Sequence, residues 1–416
     1  MISICFRIAV IVAAYGTPLL SDALLDVPAP SNLPILFDSS NHLHRSLAYH
    51  PEQPARVEAC VKALQEYQQE SSCSRRLTLI DVSADTPGYE ESDSEDSIRR
   101  QTISDAELEQ ARNVLLQIHD PSVVTNVEKR CQQSKQHRID EGQDPLGFIG
   151  YVDDDTYLTT MSYDVCLRAT ATWMRAITWL YQQQKQNRDG GTTETSIPAS
   201  AKSNGSLRHP TAMALTRPPG HHATHGMSNG FCLFNFAAAA AYHYQQLSTT
   251  AKISILDWDV HYGQGVADIV SKYPDTIRYA SIHQSPAFPY MGTKREIRGN
   301  TLTIPMAAET TWRCGYETYL EEALNFLFAS DHQPDLVIVC AGYDALDSDE
   351  LASVSLNAAD YGRMTRSLMG KIKESSGKKS VAFLLGLEGG YQLRHMAGGG
   401  NLQQAVVETV KALLEQ

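Results

Sequence analysis

The sequence predicts one large α/β domain, a mostly parallel sheet covered by helices. Three observations predict it. Short β-rich runs recur after His209, most of them continuously apolar rather than alternating, as strands buried on both faces are. Helix-length stretches separate those runs, the alternation that a parallel sheet requires. Ionisable residues collect where the runs end, the edge at which open α/β sheets bind ligands.

Along the chain, Met1 to Ala14 (MISICFRIAVIVAA) places one arginine in a short apolar run followed by small residues. That is the outline of a signal or organelle-targeting peptide, and it is too short for a membrane span. Residues 1–30 are therefore expected to be a targeting or disordered segment, and residues 33–412 the folded domain. Helices are expected over Pro54–Gln69, Asp105–Ile118 and Tyr163–Tyr181. Ser83–Ser97 is acidic and serine-rich, and Gln182–Ser206 is rich in Gln, Thr, Ser, Asn and Gly. Neither has an apolar period, so both read as solvated insertions. Strands are expected at Thr211–Thr216, Lys252–Asp257, Thr276–His283, Asp335–Cys340 and Ser380–Leu385, with helices at Tyr316–Phe328 and Asn357–Lys373.

The 416 residues, 42% hydrophobic and 20% charged, suffice for a sizeable core. A net charge of -13 argues against direct binding to a nucleic-acid backbone, which needs a basic surface. It favours cationic substrates such as lysine-rich tails or polyamines. The eight cysteines form no CxxC pair, so neither a thiolate zinc site nor a redox motif is indicated. Cys232 and Cys340 lie in apolar runs, where a buried reduced thiol is the ordinary reading. No segment after the first approaches membrane-spanning length.

Four strands deliver the chemistry. In Asp257-Trp258-Asp259-Val260-His261 an extended chain puts Asp257, Asp259 and His261 on one face. Two carboxylates and an imidazole desolvated together call for a cation or other partners. Asp344 ends a neighbouring run in AGYD. With Asp259 and His261 it would make a three-ligand oxygen/nitrogen site with an open position for water, as a catalytic zinc needs. Asp344 would otherwise be a helix cap or loop carboxylate. Arg217-Pro218-Pro219-Gly220 leads into adjacent His221 and His222. Paired imidazoles beside a metal supply a base and an electrostatic partner; alone they read equally as core histidines. In Leu387-Glu388-Gly389-Gly390-Tyr391 two glycines permit close backbone approach, and the phenol could donate to a developing oxyanion.

Together these motifs resemble the histone deacetylase family, specifically its class II-like branch. The matching segments are HPEQPAR (His50–Arg56), RPPGHHA (Arg217–Ala223), GFCLFN (Gly230–Asn235), DWDVHYGQG (Asp257–Gly265), SIHQ (Ser281–Gln284), AGYDALDSD (Ala341–Asp349) and LEGGY. The resemblance implies a three-layer αβα sandwich of the arginase/deacetylase type. It implies Asp259, His261 and Asp344 as zinc ligands, His222 as general base and acid, His221 as its electrostatic partner and Tyr391 as the carbonyl-polarising phenol. Asp257 would orient His221 and, with Ser281, hold a structural K+ or Na+. Arg56, Gly230 and Phe231 would line the substrate or product channel.

The chain departs from the family at Tyr262, where a second histidine is usual, and at Gln264, where Asp or Asn faces the base. Phe236 and Met291–Lys294 also depart. These changes bear on rate and substrate range. The implied reaction is metal-assisted hydrolysis of the acetamide of N-acetyl-lysine in histones or other proteins, in nucleus or cytoplasm. An N-acetylpolyamine or other small-amide hydrolase would use the same machinery. A binuclear manganese ureohydrolase needs a carboxylate where Gly263 stands, and an acyl-lysine binder with a decayed site would not keep every one of these groups.

Overall fold

The structure, a computed structural model, describes residues 32–70, 76–83, 98–189, 209–377, 379–394 and 400–415. The N-terminal segment and most of the two insertions fall outside these residues. The chain begins with β1 (Leu33–Phe37), α1 (Ala55–Glu70), β2 (Leu77–Asp81) and β3 (Ile98–Arg100). The helices α2 (Asp105–Ile118) and α3 (Pro121–Asp140) follow, then a hairpin of β4 (Phe148–Tyr151) and β5 (Tyr157–Thr159), then α4 (Ser162–Asp189). Next come β6 (Thr211–Leu215), α5 (Phe236–Leu247), β7 (Ile253–Asp257), α6 (Gln264–Val270) and β8 (Ile277–Gln284). The chain closes with β9 (Glu296–Arg298), β10 (Thr301–Met306), α7 (Glu317–Leu327), β11 (Leu336–Ala341), α8 (Ala358–Ser376), β12 (Ala382–Leu387) and α9 (Leu402–Leu414).

Ten strands form one sheet in the order β3-β2-β1-β6-β12-β11-β7-β8-β10-β9. Every pairing is parallel except β10 with β9, an exposed antiparallel edge. The continuous apolar runs are explained by burial on both faces. Ile35, Met213, Leu256, Val339 and Leu385 join one core with α1, α7, α8 and α9. Their neighbours Leu36, Ala214, Ile255, Ile338 and Leu384 join the other with α2 to α6. Alternation across the pleat thus feeds two cores, and the result is a three-layer αβα sandwich.

Local chemistry sets several ends. Ser104 and Glu107 form a reciprocal capping box on α2, and Asn401 and Gln404 do the same on α9. The second insertion starts later than its composition suggests, because α4 continues through Gln182 to Asp189. The reason is Gln184: its buried amide donates to the Asp335 and Ser380 carbonyls, both at 2.7 Å, docking the helix under β11 and β12. A polar residue doing interior work looks like loop in a hydropathy pattern. Cys60, Cys131, Cys166, Cys232 and Cys340 are buried free thiols. Among the described residues no helix is long and apolar enough to cross a membrane.

Candidate active site

Parallel register aligns the carboxyl ends of the central strands. Cys340 pairs with Asp257, Asp257 with Ser281, and Ala341 with Leu387. Loops leaving β6, β12, β11 and β7 therefore open at one edge, and all the candidate residues except Arg56, Gly230, Phe231 and Ser281 follow or end one of those strands.

Beyond Asp257 the chain is not extended, contrary to the alternation expected for Asp257, Asp259 and His261. Asp257 Oδ1 accepts the Asp259 N–H at 3.1 Å, and Asp259 Oδ1 accepts the His261 N–H at 2.9 Å. Two successive turns, each made by an aspartate on the amide two residues on, bend the backbone. Asp257 then faces His221 and Tyr279, whereas Asp259 and His261 face Asp344.

Ligand atoms of Asp259, His261 and Asp344 lie within 4.8 Å of one another, and all three residues are buried. His261 Nδ1 stands 3.0 Å from Asp344 Oδ2 and 3.3 Å from Asp259 Oδ1. The remaining carboxylate oxygens are taken by backbone: Val260 N–H on Asp344 at 2.9 Å and Gly389 N–H on Asp259 at 2.8 Å. A Cβ at Gly389 would sit 2.2 Å from Asp344 Oδ2 and 2.5 Å from Asp259 Oδ2, so only glycine lets the backbone come this close. Two buried carboxylates against one imidazole are short of positive charge. The donor set fits a divalent ion of borderline hardness such as zinc.

The His221 and His222 rings meet at a tilt of 42° with centroids 3.9 Å apart, yet their surroundings differ. His221 Nδ1 pairs with Asp257 Oδ2 at 3.1 Å, and that oxygen also accepts the Tyr279 hydroxyl at 2.8 Å. Burial alone would lower the His221 imidazole, but the Asp259 and Asp257 carboxylates outweigh it and raise it to about 10. His222 Nδ1 pairs instead with the neutral amide oxygen of Gln264 at 2.6 Å. Burial, then the charge of His221 and His261, hold His222 well below the ordinary imidazole range. One ring is cationic and the other neutral.

Tyr391 completes the ring of polar groups. Its aromatic face lies under the Arg56 guanidinium at 4.6 Å and edge-on to Phe231 at 5.7 Å. Burial raises its phenol well above the usual range, against Arg56 and with Asp344 and Asp259, so it is a neutral donor. Arg56 is itself buried and donates to the Gly390 carbonyl at 2.7 Å and to that of Glu388. Gly230 and Phe231 are held by Asp153 and Thr156 through their N–H groups at 3.1 and 2.8 Å. Phe231 sits in left-handed backbone (φ 67°), a strained choice for a non-glycine residue. Ser281 lies directly across from Asp257 in the sheet, but its hydroxyl pairs with His283 Nδ1 at 3.0 Å.

Several contributors were not visible in sequence. Phe288, from an irregular loop without periodicity, packs edge-on to His222 at 4.9 Å. Tyr279 reads as one more apolar strand position. Glu388 Oε2 accepts the Gly220 and His221 N–H groups at 2.6 and 3.1 Å, and burial pushes it up to about 7. Glu52 grips Arg217 with two bonds of 2.7 and 2.6 Å, anchoring the turn that leads to the histidine pair. Both ends of that ion pair stand in quoted motifs, but 165 residues of separation hide the contact.

A sequence model of the histone deacetylase domain matches residues 50–407. The chain belongs to the histone deacetylase family. It is 28% identical over 390 residues to histone deacetylase 14, chloroplastic, of Arabidopsis thaliana, covering 91% of this chain and 76% of that one. It is 27% identical over 401 residues to histone deacetylase 10, chloroplastic, of rice, covering 94% and 76%. An uncharacterized protein of Synechocystis is 35% identical over 267 residues, covering 64% of this chain and 74% of that one. The crystal structure of the HDA15 HD domain superposes with a TM-score of 0.66 at 24% identity, over 92% of this chain and 90% of that one, and shares the arginase/deacetylase fold. Family membership makes this a hydrolase of the deacetylase type.

Proposed function

We propose that the protein hydrolyses the acetamide of N-acetyl-lysine, or of a related amine, with zinc held by Asp259, His261 and Asp344. The observation that carries this reading is the convergence of those three buried ligands beside a neutral imidazole and a neutral phenol. Bound zinc supplies the positive charge that polarises an amide carbonyl and makes water more acidic. His222, with its proton fixed on Nδ1 by Gln264, takes the proton of the attacking water through Nε2. Tyr391 donates to the carbonyl oxygen as it becomes an oxyanion. His221, kept cationic by Asp257, favours that build-up of negative charge. His222 then returns its proton to the leaving nitrogen as the C–N bond breaks, giving acetate and free amine.

Asp257 and Ser281, cross-strand neighbours, are where a structural K+ or Na+ would sit, and its recruitment would take the Ser281 hydroxyl from His283. Arg56, Gly230 and Phe231 wall the channel. Three consecutive aspartates, Asp153 to Asp155, border the Gly230–Phe231 backbone, and Asp154 is exposed. That acidic turn favours a cationic substrate, whether a lysine-rich acetylated protein or an acetylpolyamine. Two chloroplastic relatives, together with the apolar start of the chain, favour an organelle as its location.

The test is a substrate panel on purified zinc-loaded protein: acetyl-lysine peptides, longer acyl-lysine peptides and acetylpolyamines, with release of the free amine measured directly. Turnover of acetyl-lysine peptides above the others is the expected result. Full turnover after zinc is stripped, or none on any amide with zinc bound, overturns the reading.

A further inference from the structure

We propose that Asp349 is a positioning residue that sets the place of the Tyr391 phenol relative to the metal ligands. The proposal rests on the role of Tyr391 given above. Asp349 is 4% exposed, and each of its oxygens is engaged by backbone. Oδ2 accepts the N–H groups of Tyr391 and Gln392 at 2.6 and 3.2 Å, and Oδ1 accepts that of Leu351 at 3.1 Å. Burial and the nearby Asp344 carboxylate push Asp349 up to about 7, and the three N–H donors pull against them.

Tyr391 needs such a hold because no regular element supplies one. β12 ends at Leu387 and α9 begins at Leu402, so the phenol stands on a turn. Gly390 adopts φ +110°, and a Cβ there would meet Tyr343 Cβ at 2.8 Å. The turn is clamped from two sides. Arg56 takes the carbonyls of Glu388 and Gly390, and Asp349 takes the amides of Tyr391 and Gln392. Buried backbone groups need partners, and here side chains supply them on both faces of one turn.

The anchor and a metal ligand also share one short segment. Tyr343, next to Asp344, donates its N–H to Gly389 at 3.0 Å, and the Asp349 N–H closes a turn on Leu346 at 3.0 Å. Ser348 continues the clamp, its carbonyl accepting from the Gln392 amide at 3.0 Å. Four residues therefore link the ligand Asp344 to the carboxylate that fixes Tyr391, and their turn is the ruler between metal and phenol.

The experiment is a double-mutant cycle on zinc-loaded protein with an acetyl-lysine peptide, using Asp349→Asn, Tyr391→Phe and the pair. Asparagine keeps one acceptor oxygen, so its NH2 group must face either the Tyr391 and Gln392 N–H groups or that of Leu351. Asp349→Asn should lose at least ten-fold in kcat with KM and zinc content little changed, and the double variant should be no slower than Tyr391→Phe. If Asp349→Asn does not fold, Asp349→Ser, which keeps one acceptor and adds no opposing amide, is read in the same cycle. Wild-type turnover of the Asp349 variant, or losses that multiply in the double variant, overturns the proposal alone. Wild-type turnover of Tyr391→Phe overturns the role of the phenol and this proposal with it.

Discussion

The amide oxygen of Gln264 lies 2.6 Å from Nδ1 of His222. An amide oxygen can only accept, so the ring carries its proton on Nδ1 and presents Nε2 as the base. Gln264 is the first residue of α6, so the helix start fixes where its amide stands.

Gln264→Met keeps that length and removes the acceptor. It should cost roughly ten- to a hundred-fold in kcat, part of what a well-placed base contributes, with KM little changed. Steady-state kinetics on the variant check this, and an unaltered kcat would show that the tautomer is set elsewhere.

Tyr391→Phe should keep zinc and acetyl-lysine affinity while losing on the order of a hundred- to a thousand-fold in turnover, the usual cost of one oxyanion donor. Kinetics, zinc content and affinity are to be measured on one preparation. A tyrosine that merely packed against Arg56 and Phe231 would leave phenylalanine nearly silent.

Gly389→Ala tests the metal site without touching a ligand. The new methyl would stand 2.2 Å from one ligand carboxylate and 2.5 Å from the other, so they must part. Elemental analysis should find zinc occupancy down by at least ten-fold, with far-UV circular dichroism unchanged. In the parent protein, stripping zinc should lower Tm and re-adding it should restore it, since binding at a thousand times Kd adds about 4 kcal/mol. A Tm indifferent to zinc argues against a site in the folded state.

Acid should destabilise the protein earlier than its carboxylates alone would dictate. Burial lowers His44 to about 3, with Arg217 assisting, and lowers His119 and His243 to about 4. Unfolded histidine titrates near 6.5, so between about 6.5 and 4 the unfolded chain binds protons that the folded one refuses. Stability therefore falls as pH drops through that window. Calorimetry should record falling Tm and proton uptake on unfolding near pH 5. A flat Tm from pH 7 to 5 would mean that these rings are protonated in the fold.

How much of this was legible depends on how local each signal is. Asp105–Ile118 is fixed by its own capping box and apolar spacing, and the sequence reading meets it residue for residue. Five of the seven described strands after His209 were visible because burial on both faces leaves unbroken apolar runs; β10 (TLTIPM) is broken by two threonines and a proline, and β9 is exposed. β1 (LPILF) and β2 (LTLID) flank α1, but Pro34 and Thr78 interrupt their apolar runs, and they were not read as strands. The candidate ligands were readable because they cluster at strand ends. Their supports were not. The Glu52–Arg217 pair, Tyr279 on Asp257 and Asp349 under Tyr391 are contacts between distant segments, and spacing along one chain carries no trace of them.

The central position of β12 bears on how the molecule is made. Among the described strands β12 comes latest in the chain and lies between β6 and β11, so until it arrives the sheet exists as two separate halves. One half carries the histidine pair and the other carries Asp259, His261 and Asp344. A nascent chain that has passed Asp344 has every candidate zinc ligand but no strand to bring the base alongside them. A chain released short of Leu387 presents two open apolar edges, each able to pair with the same edge of another unfinished copy.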